Sequence, residues 1–384
     1  MEVTAGGGSH VAINAHLLSG RTGYRSAGVH QYMYHLLRHL AQADDGLRYT
    51  VLLGEGVLPP DAALTSLQSR WPTHRAAVRV LWEQLVQPWV LRRIGADLLH
   101  APVFVGPLLA RCPVVVTIHD LSFIRFPDLF RPSNRFYLTV LTRLSARHAR
   151  RLVAVSAHAA DEATRLLGVP RERVDVVYHG VDPVFRPLPS GEIAAFRRRR
   201  GLPERFVLFV GTLEPRKNLV RLVEAFARIR DGRVGLVLAG GKGWLYDDLF
   251  ARVEALGLDD EVVFPGYVMN DELPLWYNAA TVLGYPSVYE GFGLPVLEAQ
   301  ACGTPVLTSN TTALPEAAGD AALMVDPYDV EAMAAGLSWL LTDEPLRHQL
   351  RELGLAHASQ FSWSRTAQET ACVYRRALAR GEGT

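Results

Sequence analysis

Short runs of Val, Ile and Leu recur along this chain, each followed by a helical pattern, and the plan stops once and starts again. In the first half the runs are VAINA (11–15), YTVLL (49–53), VRVL (78–81), DLLHA (97–101), PVVVTIH (113–119), RLVAVS (151–156) and VDVVY (174–178). Strands that are apolar throughout, rather than alternating, are buried on both faces, as in a parallel sheet covered by helices on each side. HGVDPVFRPLPSGE (179–192) is rich in Pro and Gly and has no period, so it reads as a break. The plan resumes after Gly201 with RFVLFVGT (205–212), GLVLAG (235–240), VVFPG (262–266), TVLGYPS (281–287), TPVLTS (304–309) and AALMVD (321–326). The pattern predicts an α/β protein of two doubly wound, Rossmann-like parallel-sheet domains facing across a cleft. We place the first domain at 1–182, a linker at 183–203 and the second domain at 204–360. A closing segment, 361–384, carries the helix FSWSRTAQETACVYRRAL, expected to cross back to the first domain. Ligands of doubly wound sheets bind outside the carboxyl ends of the strands, which makes the cleft the expected site.

A length of 384 residues suits two such domains, and 49% hydrophobic residues are enough for two cores. The net charge of +1 argues against a broad nucleic-acid surface. Three cysteines, Cys112, Cys302 and Cys372, are too few and scattered for a disulfide framework or a zinc cluster, and they fit a reducing cytoplasm. The start, MEVTAGGGSH, lacks the apolar core of a secretory signal and reads as a flexible leader. No apolar run is long enough to span a bilayer, so a soluble or at most peripheral protein is expected.

The most informative motif is YEGFGLPVLEAQACGTPV, from Tyr289 to Val306. A tight turn, EGFG, follows a strand, and Pro295 suits the first position of a helix. The N–H groups of Phe292, Gly293 and Leu294 at such a helix start would attract phosphate. Glu290 and Glu298 bracket this turn, and phosphate would repel them. They make sense as acceptors for neutral hydroxyls on either side of it, as in the ribose–diphosphate–hexose layout of a nucleotide sugar. The plainer reading makes Glu290 a solvated turn residue and Glu298 a favourable first-turn acid. VGTLEPRKNL (210–219) also follows a strand and opens a helix, with Arg216 and Lys217 at its end and Glu214 within pairing range. Two cations there would oppose the helix dipole unless an anion joins them, and they can neutralise a departing diphosphate.

Other motifs carry less. SGRTGYRSAGVHQYMYHLL (19–37) places a loop before a helix starting near Gly28, without a G-x-G-x-x-G fingerprint. AGGKGW (239–244) reads as a turn lining the cleft, since no Ser or Thr follows Lys242 as a phosphate loop requires. TIHD (117–120) ends a first-domain strand and turns His119 and Asp120 toward the cleft; the alternative is a structural histidine. His35 and His39 have i,i+4 spacing but no third ligand, so a solvated helix face is expected there and no metal. FRRRR (196–200) and RLSARHARR (143–151) are solvated basic faces, or attractors of anionic lipid head groups.

EGFGLPVLE with seven residues between its two glutamates, GTLEPRKNL, HGVD (179–182) and TIHDLSFIRFP (117–127) together resemble the retaining nucleotide-sugar glycosyltransferases of family four, of GT-B fold. The likeness runs over nearly the whole chain after residue 11, and the finer likeness is to bacterial mannosyltransferase-type members. It implies that Glu290 holds donor-sugar hydroxyls and Glu298 the ribose. Arg216 and Lys217 would bind the diphosphate with the turn Gly291–Leu294. Gly28 would approach the diphosphate or sugar, His119 would sit beside the sugar, and Tyr267 and Val268 would contact the base. Gly211 and Thr212 join the donor-binding set. The long loop Arg21–Ala27 departs from a minimal glycine turn and leaves the acceptor side open.

The implied reaction is transfer of a hexose from a nucleoside diphosphate sugar to an acceptor hydroxyl, glycan, lipid-linked or small, with retention and without a metal or other cofactor. GDP-mannose is the first-choice donor and a UDP-hexose the second. The rival readings are a nucleotide-sugar epimerase and a non-catalytic sugar-nucleotide-binding subunit of the same fold.

Overall fold

The computed structural model describes residues 8–18, 28–44, 46–130, 132–241, 243 and 247–379. The leader ahead of them, the loop Arg21–Ala27 and Lys242 lie outside the described residues. The chain divides into two compact units, Met1–Gly180 with Trp363–Thr384, and Val181–Ser362.

The first unit holds β1 (Ser9–Ala15), β2 (Leu47–Leu53), β3 (Thr65–Gln68), β4 (Leu98–Ala101), β5 (Val114–Ile118), β6 (Arg151–Ala154) and β7 (Val174–Val176). They form one parallel sheet in the order β3-β2-β1-β4-β5-β6-β7. β1 is central, with Val11 facing Tyr49 on one side and Leu98 on the other, and Val11, Ala12 and Ile13 are almost wholly buried. The strand order reverses direction between β1 and β4, which is where a doubly wound sheet opens a crevice at its carboxyl edge. The closing helix Trp363–Leu378 belongs to this unit and packs against the helix Val29–Ala43. Tyr374 anchors it, its hydroxyl 2.6 Å from His100 Nδ1.

The second unit holds β8 (Arg205–Val210), β9 (Val234–Ala239), β10 (Val262–Gly266), β11 (Val282–Tyr285), β12 (Val306–Ser309) and β13 (Leu323–Val325). Its parallel order is β10-β9-β8-β11-β12-β13, and the reversal falls between β8 and β11. Both switch points therefore involve the first strand of their unit.

Four local expectations differ from the structure. VRVL is not a strand: it lies in the helix Ala76–Leu81, which runs on as a π-helical turn, Trp82–Val86, and the helix Gln87–Ile94. No turn residue interrupts 76–87, and Trp82, Glu83, Gln87, Val90 and Leu91 line one buried helical face, so packing overrides the β preference of two valines. β3 went unread because TSLQ is an exposed edge strand without an apolar run. The segment assigned to a linker carries the helix Ser190–Arg200 within the second unit, and its Phe196 is buried in that core. His35 is buried rather than solvated, its ring stacked on Trp363 at 4.9 Å.

The basic runs are largely tied down. Arg197 donates to the Ala279 carbonyl and Arg200 to the Glu272 carboxylate. Arg150 donates to the Ala379 carbonyl, and Arg151 pairs with Asp175.

Candidate functional site

In the second unit, the loops after β8 and β11 meet at the switch point. After Val210 the chain crosses Gly211 and Thr212. A Cβ on Gly240, at the end of β9, would sit 1.7 Å from the Gly211 carbonyl oxygen, so only glycine permits this approach. A short 3-10 turn, Pro215–Lys217, ends at Asn218 with φ 63°. Asparagine tolerates this left-handed conformation, and two side-chain bonds hold it there, to the carbonyls of Pro286 at 3.0 Å and Pro327 at 2.6 Å. The Arg216 carbonyl in turn accepts the Val288 N–H at 2.9 Å. These bonds lock the β8 loop to the β11 loop and turn Lys217 inward.

Glu290 is the hub. Its Oε1 accepts from Lys217 Nζ at 2.5 Å, Ser287 Oγ at 2.6 Å and Tyr285 OH at 3.0 Å. Its Oε2 accepts from Arg216 at 3.0 Å. Arg216 also reaches the Tyr289 carbonyl at 3.0 Å and Glu214 at 2.5 Å. Lys217 Nζ donates to Tyr285 OH at 2.7 Å. Two carboxylates thus balance two cations, and Glu214, Lys217 and Glu290 are all buried. Burial by itself would raise the Glu290 carboxyl; the charges of Lys217 and Arg216 outweigh it and hold it at about 2. Burial and the neighbouring Arg216 push Lys217 below the usual lysine value, while Glu290 and Glu214 oppose that shift. The cations do not stand waiting for an external anion, as the sequence suggested: the protein supplies Glu290 and Glu214.

The turn Gly291–Leu294 leads into the helix Leu294–Ala301, with Pro295 in its first turn. Gly293 has φ 120°, and a Cβ there would sit 2.9 Å from Leu314 Cδ2. The buried Phe292 ring lies 6.2 Å from Phe361. Glu298 sits on this helix and accepts from Tyr277 OH at 2.7 Å. Burial pushes its carboxyl up to about 7, Asp182 adds to the rise, and the Tyr277 bond opposes it. Glu290 and Glu298 therefore live in opposite electrostatic settings, one ionised by its cations, the other titrating near neutrality. Tyr267, exposed, and Val268, buried, follow the edge strand β10, whose Gly266 carbonyl accepts the Gly240 N–H at 2.8 Å. That bond puts them at the same carboxyl edge as Gly211 and Thr212.

His119 and Gly28 belong to the first unit. Gly28 has φ 52° and precedes the helix Val29–Ala43; its conformation, not crowding, calls for glycine. His119 is buried, lies edge-on to Tyr32 at 4.8 Å and donates from Nε2 to the Pro102 carbonyl at 2.8 Å. Burial lowers its pKa against the pull of the Pro102 carbonyl and Asp120, and this favours the neutral ring. Asp120 is occupied locally, accepting from the Ser122 N–H at 2.9 Å and Oγ at 2.6 Å.

Sequence reasoning missed a second polar constellation, at the β1–β4 switch point. Asn14 at the end of β1, the loop 102–105 after β4, Arg79, Glu83 and Tyr137 line one pocket. Glu83 stands on the π-helical turn, accepts from Asn14 Nδ2 at 3.1 Å and lies 3.9 Å from Arg79. Burial pushes its carboxyl up to about 7 against the pull of Arg79 and Asn14. Phe104, in the loop, has φ 50° and meets the His119 ring edge-on at 5.9 Å. A strained residue and a π-turn at one pocket are features that cluster at functional sites. Tyr285 and Ser287 were also missed, although both stand in TVLGYPS as polar residues at a strand's carboxyl end.

Two doubly wound units, each with polar residues gathered at the carboxyl edge of its switch point, are the architecture of the GT-B fold class. Residues 26–185 match the family described as Glycosyltransferase Family 4, and residues 192–356 match Glycosyl transferases group 1. The chain belongs to glycosyltransferase family four. It is 36% identical to an O-antigen chain mannosyltransferase B of Escherichia coli over 75% of this chain and 77% of that one. It is 31% identical to a D-inositol 3-phosphate glycosyltransferase of Streptomyces bingchenggensis over 92% of this chain and 85% of that one. In fold it is similar to a sucrose-phosphate synthase from Thermosynechococcus elongatus, with TM-score 0.78 at 22% identity, covering 96% of this chain and 98% of that one.

Proposed function

We propose that this glycosyltransferase moves a hexose from a nucleoside diphosphate sugar to an acceptor hydroxyl with retention at the anomeric carbon, with GDP-mannose as donor. The observation that carries the reading is the Glu290 hub, in which one buried carboxylate is held by both Arg216 and Lys217. As the bond from the anomeric carbon to the diphosphate breaks, negative charge builds on the leaving oxygen. Arg216 and Lys217 stabilise it, together with the turn Gly291–Leu294. Charge they give to the diphosphate loosens their hold on Glu290, which then accepts from sugar hydroxyls, while Glu298 accepts from the ribose. Gly211 and Thr212 approach the donor, and Tyr267 and Val268 contact the base. The acceptor oxygen bonds to the anomeric carbon and its proton passes to the departing phosphate oxygen. The fixed cations supply the charge stabilisation that a metal ion would otherwise provide.

For the acceptor side we assign the Asn14–Glu83 pocket, where a carboxylate, an amide and a guanidinium converge. A buried carboxylate favours a neutral polyol over a phosphorylated acceptor. Mannose as the sugar rests on the likeness to the Escherichia coli mannosyltransferase. The test is a thermal-shift screen of GDP-, UDP- and ADP-sugars followed by product analysis. A ligand at a hundredfold its dissociation constant stabilises by about 2.7 kcal/mol. Stabilisation by GDP-mannose and a new glycoside in the presence of acceptor are expected. A new free sugar epimer from donor alone would instead favour an epimerase.

A further inference from the structure

The helical stretch 76–94 carries an apolar stripe on its outer face. Leu81, Leu85 and Trp89 stand four residues apart and are more than half exposed, Leu85 at 65%. The helix Pro132–His148 carries a second stripe at the same spacing, Phe136, Val140 and Leu144, with Phe136 71% exposed. Four-residue spacing keeps each set on one side of its helix. The loop between β4 and β5 fastens the two helices to each other. Gln84 donates to the Gly106 carbonyl and accepts the Leu108 N–H, both at 3.1 Å, and the Gly106 N–H donates to Ser145 Oγ at 3.1 Å. The same loop exposes Leu109. Single exposed apolar residues are ordinary, but seven on three adjoining segments form a surface that calls for a partner.

Charge says which partner. Arg75, Arg92, Arg93, Arg111, Arg135 and Arg143 are exposed on these segments, and the single acidic residue across 75–94, 105–113 and 132–148 is Glu83, which is buried. Arg93 lies over the Trp89 ring at 5.3 Å. Among the described residues no helix is long and apolar enough to cross a membrane. Apolar anchors among arginines, without a spanning helix, fit a surface lying in the interface of a bilayer. We infer that this face of the first unit docks on an anionic lipid bilayer, with Leu81, Leu85, Trp89, Leu109 and Phe136 entering the head-group region and the arginines meeting lipid phosphates. It lies mainly outside the two basic runs that the sequence singled out, sharing only Arg143 and Leu144 with the second of them. The same two helical stretches supply Arg79, Glu83 and Tyr137 to the pocket at Asn14, so docking would bring a lipid-borne acceptor to it. That corollary rests on the proposed function; the docking itself does not.

The test is co-sedimentation of the full chain with vesicles of phosphatidylcholine and phosphatidylglycerol, against phosphatidylcholine alone. Binding to the anionic vesicles and its loss at high salt are expected, since each cation near such a surface is worth roughly fivefold in partitioning. Leu85→Glu with Phe136→Glu should weaken binding on the order of tenfold or more. Both positions are exposed, so circular dichroism and nucleotide-induced thermal shift should match the wild type. No binding by the wild type to anionic vesicles, or equal binding by the double variant, overturns the proposal. A concentration-dependent dimer that Leu85→Glu and Phe136→Glu abolish, without vesicle binding, assigns the face to a second copy and also overturns it. Because sedimentation reads neither donor nor turnover, a wrong donor assignment leaves this result intact.

Discussion

Lys217 Nζ lies 2.5 Å from Glu290 Oε1, and both side chains are buried at the carboxyl edge of the β8–β11 switch point. A buried ion pair of this kind contributes little net stability over an apolar pair, but removing one partner strands the other. The pair therefore couples folding to function. Lys217→Met should cost about 3–5 kcal/mol of stability. Lys217→Met combined with Glu290→Gln should recover much of that loss, because no buried charge is left without its partner, yet remain inactive. Chemical denaturation of the single and double variants checks this. Independent, additive losses would contradict the coupling.

Arg216 is less buried, so its loss is easier to read kinetically. Arg216→Ala should lower turnover by about 10²-fold or more, as removal of a donor to developing oxyanion charge does. Treatment with a chelator should leave wild-type activity intact. Loss of activity on chelation, restored by magnesium or manganese, would contradict the role given to the cations.

Glu298 predicts a pH dependence. Its carboxyl is raised to about 7 in the folded protein, against an ordinary value of 4.5. Between those values the folded state keeps a proton that the unfolded state releases. This group's contribution to stability is therefore fully present below 4.5 and falls as pH rises toward 7. The ionised form is the one that accepts from ribose hydroxyls. Nucleoside diphosphate affinity should rise with pH through about 7, and Glu298→Gln should be weaker and flat in pH. Calorimetric titration across that range decides it, and an unchanged pH slope in the variant would remove Glu298 from the ribose site.

Glu83 predicts a split between substrates. Glu83→Gln should raise the acceptor KM while leaving donor affinity unchanged, since Glu83 lies in the first unit and the donor cluster in the second. It should also leave stability at alkaline pH equal to or above that of the wild type, because a buried charge is removed. Unchanged acceptor kinetics would take the acceptor out of this pocket.

Attack from the face that the diphosphate leaves predicts an α-linked product from an α-linked donor. Proton NMR of the product reads the linkage. A β-linkage would return His119 to consideration as a general base, although its neutral ring is engaged with the Pro102 carbonyl.

Much of this arrangement was legible in the sequence. Continuous apolar runs announced both sheets, because parallel strands are buried on both faces. EGFGLPVLE and GTLEPRKNL announced the cluster at the carboxyl edge of β8 and β11, because a glycine turn, a helix-start proline and paired cations have local signatures. What failed had non-local causes. VRVL became helix because it opens a helical stretch whose buried face lies downstream, at Trp82 and Val90. The Glu290 hub depends on Tyr285 and Ser287, whose roles appear only once β11 lies beside β8. The Asn14–Glu83 pair spans 69 positions, and no local pattern connects two such residues.

Glu290→Gln, assayed with GDP-mannose for both nucleoside diphosphate affinity and turnover, tests the central claim most directly. Gln keeps the size and hydrogen-bonding reach of Glu290 but withdraws the charge that links Arg216, Lys217 and the sugar. The account predicts affinity within about tenfold of wild type and a turnover lower by about 10²-fold or more. Wild-type turnover in Glu290→Gln would contradict the assignment of Glu290 to the reacting sugar.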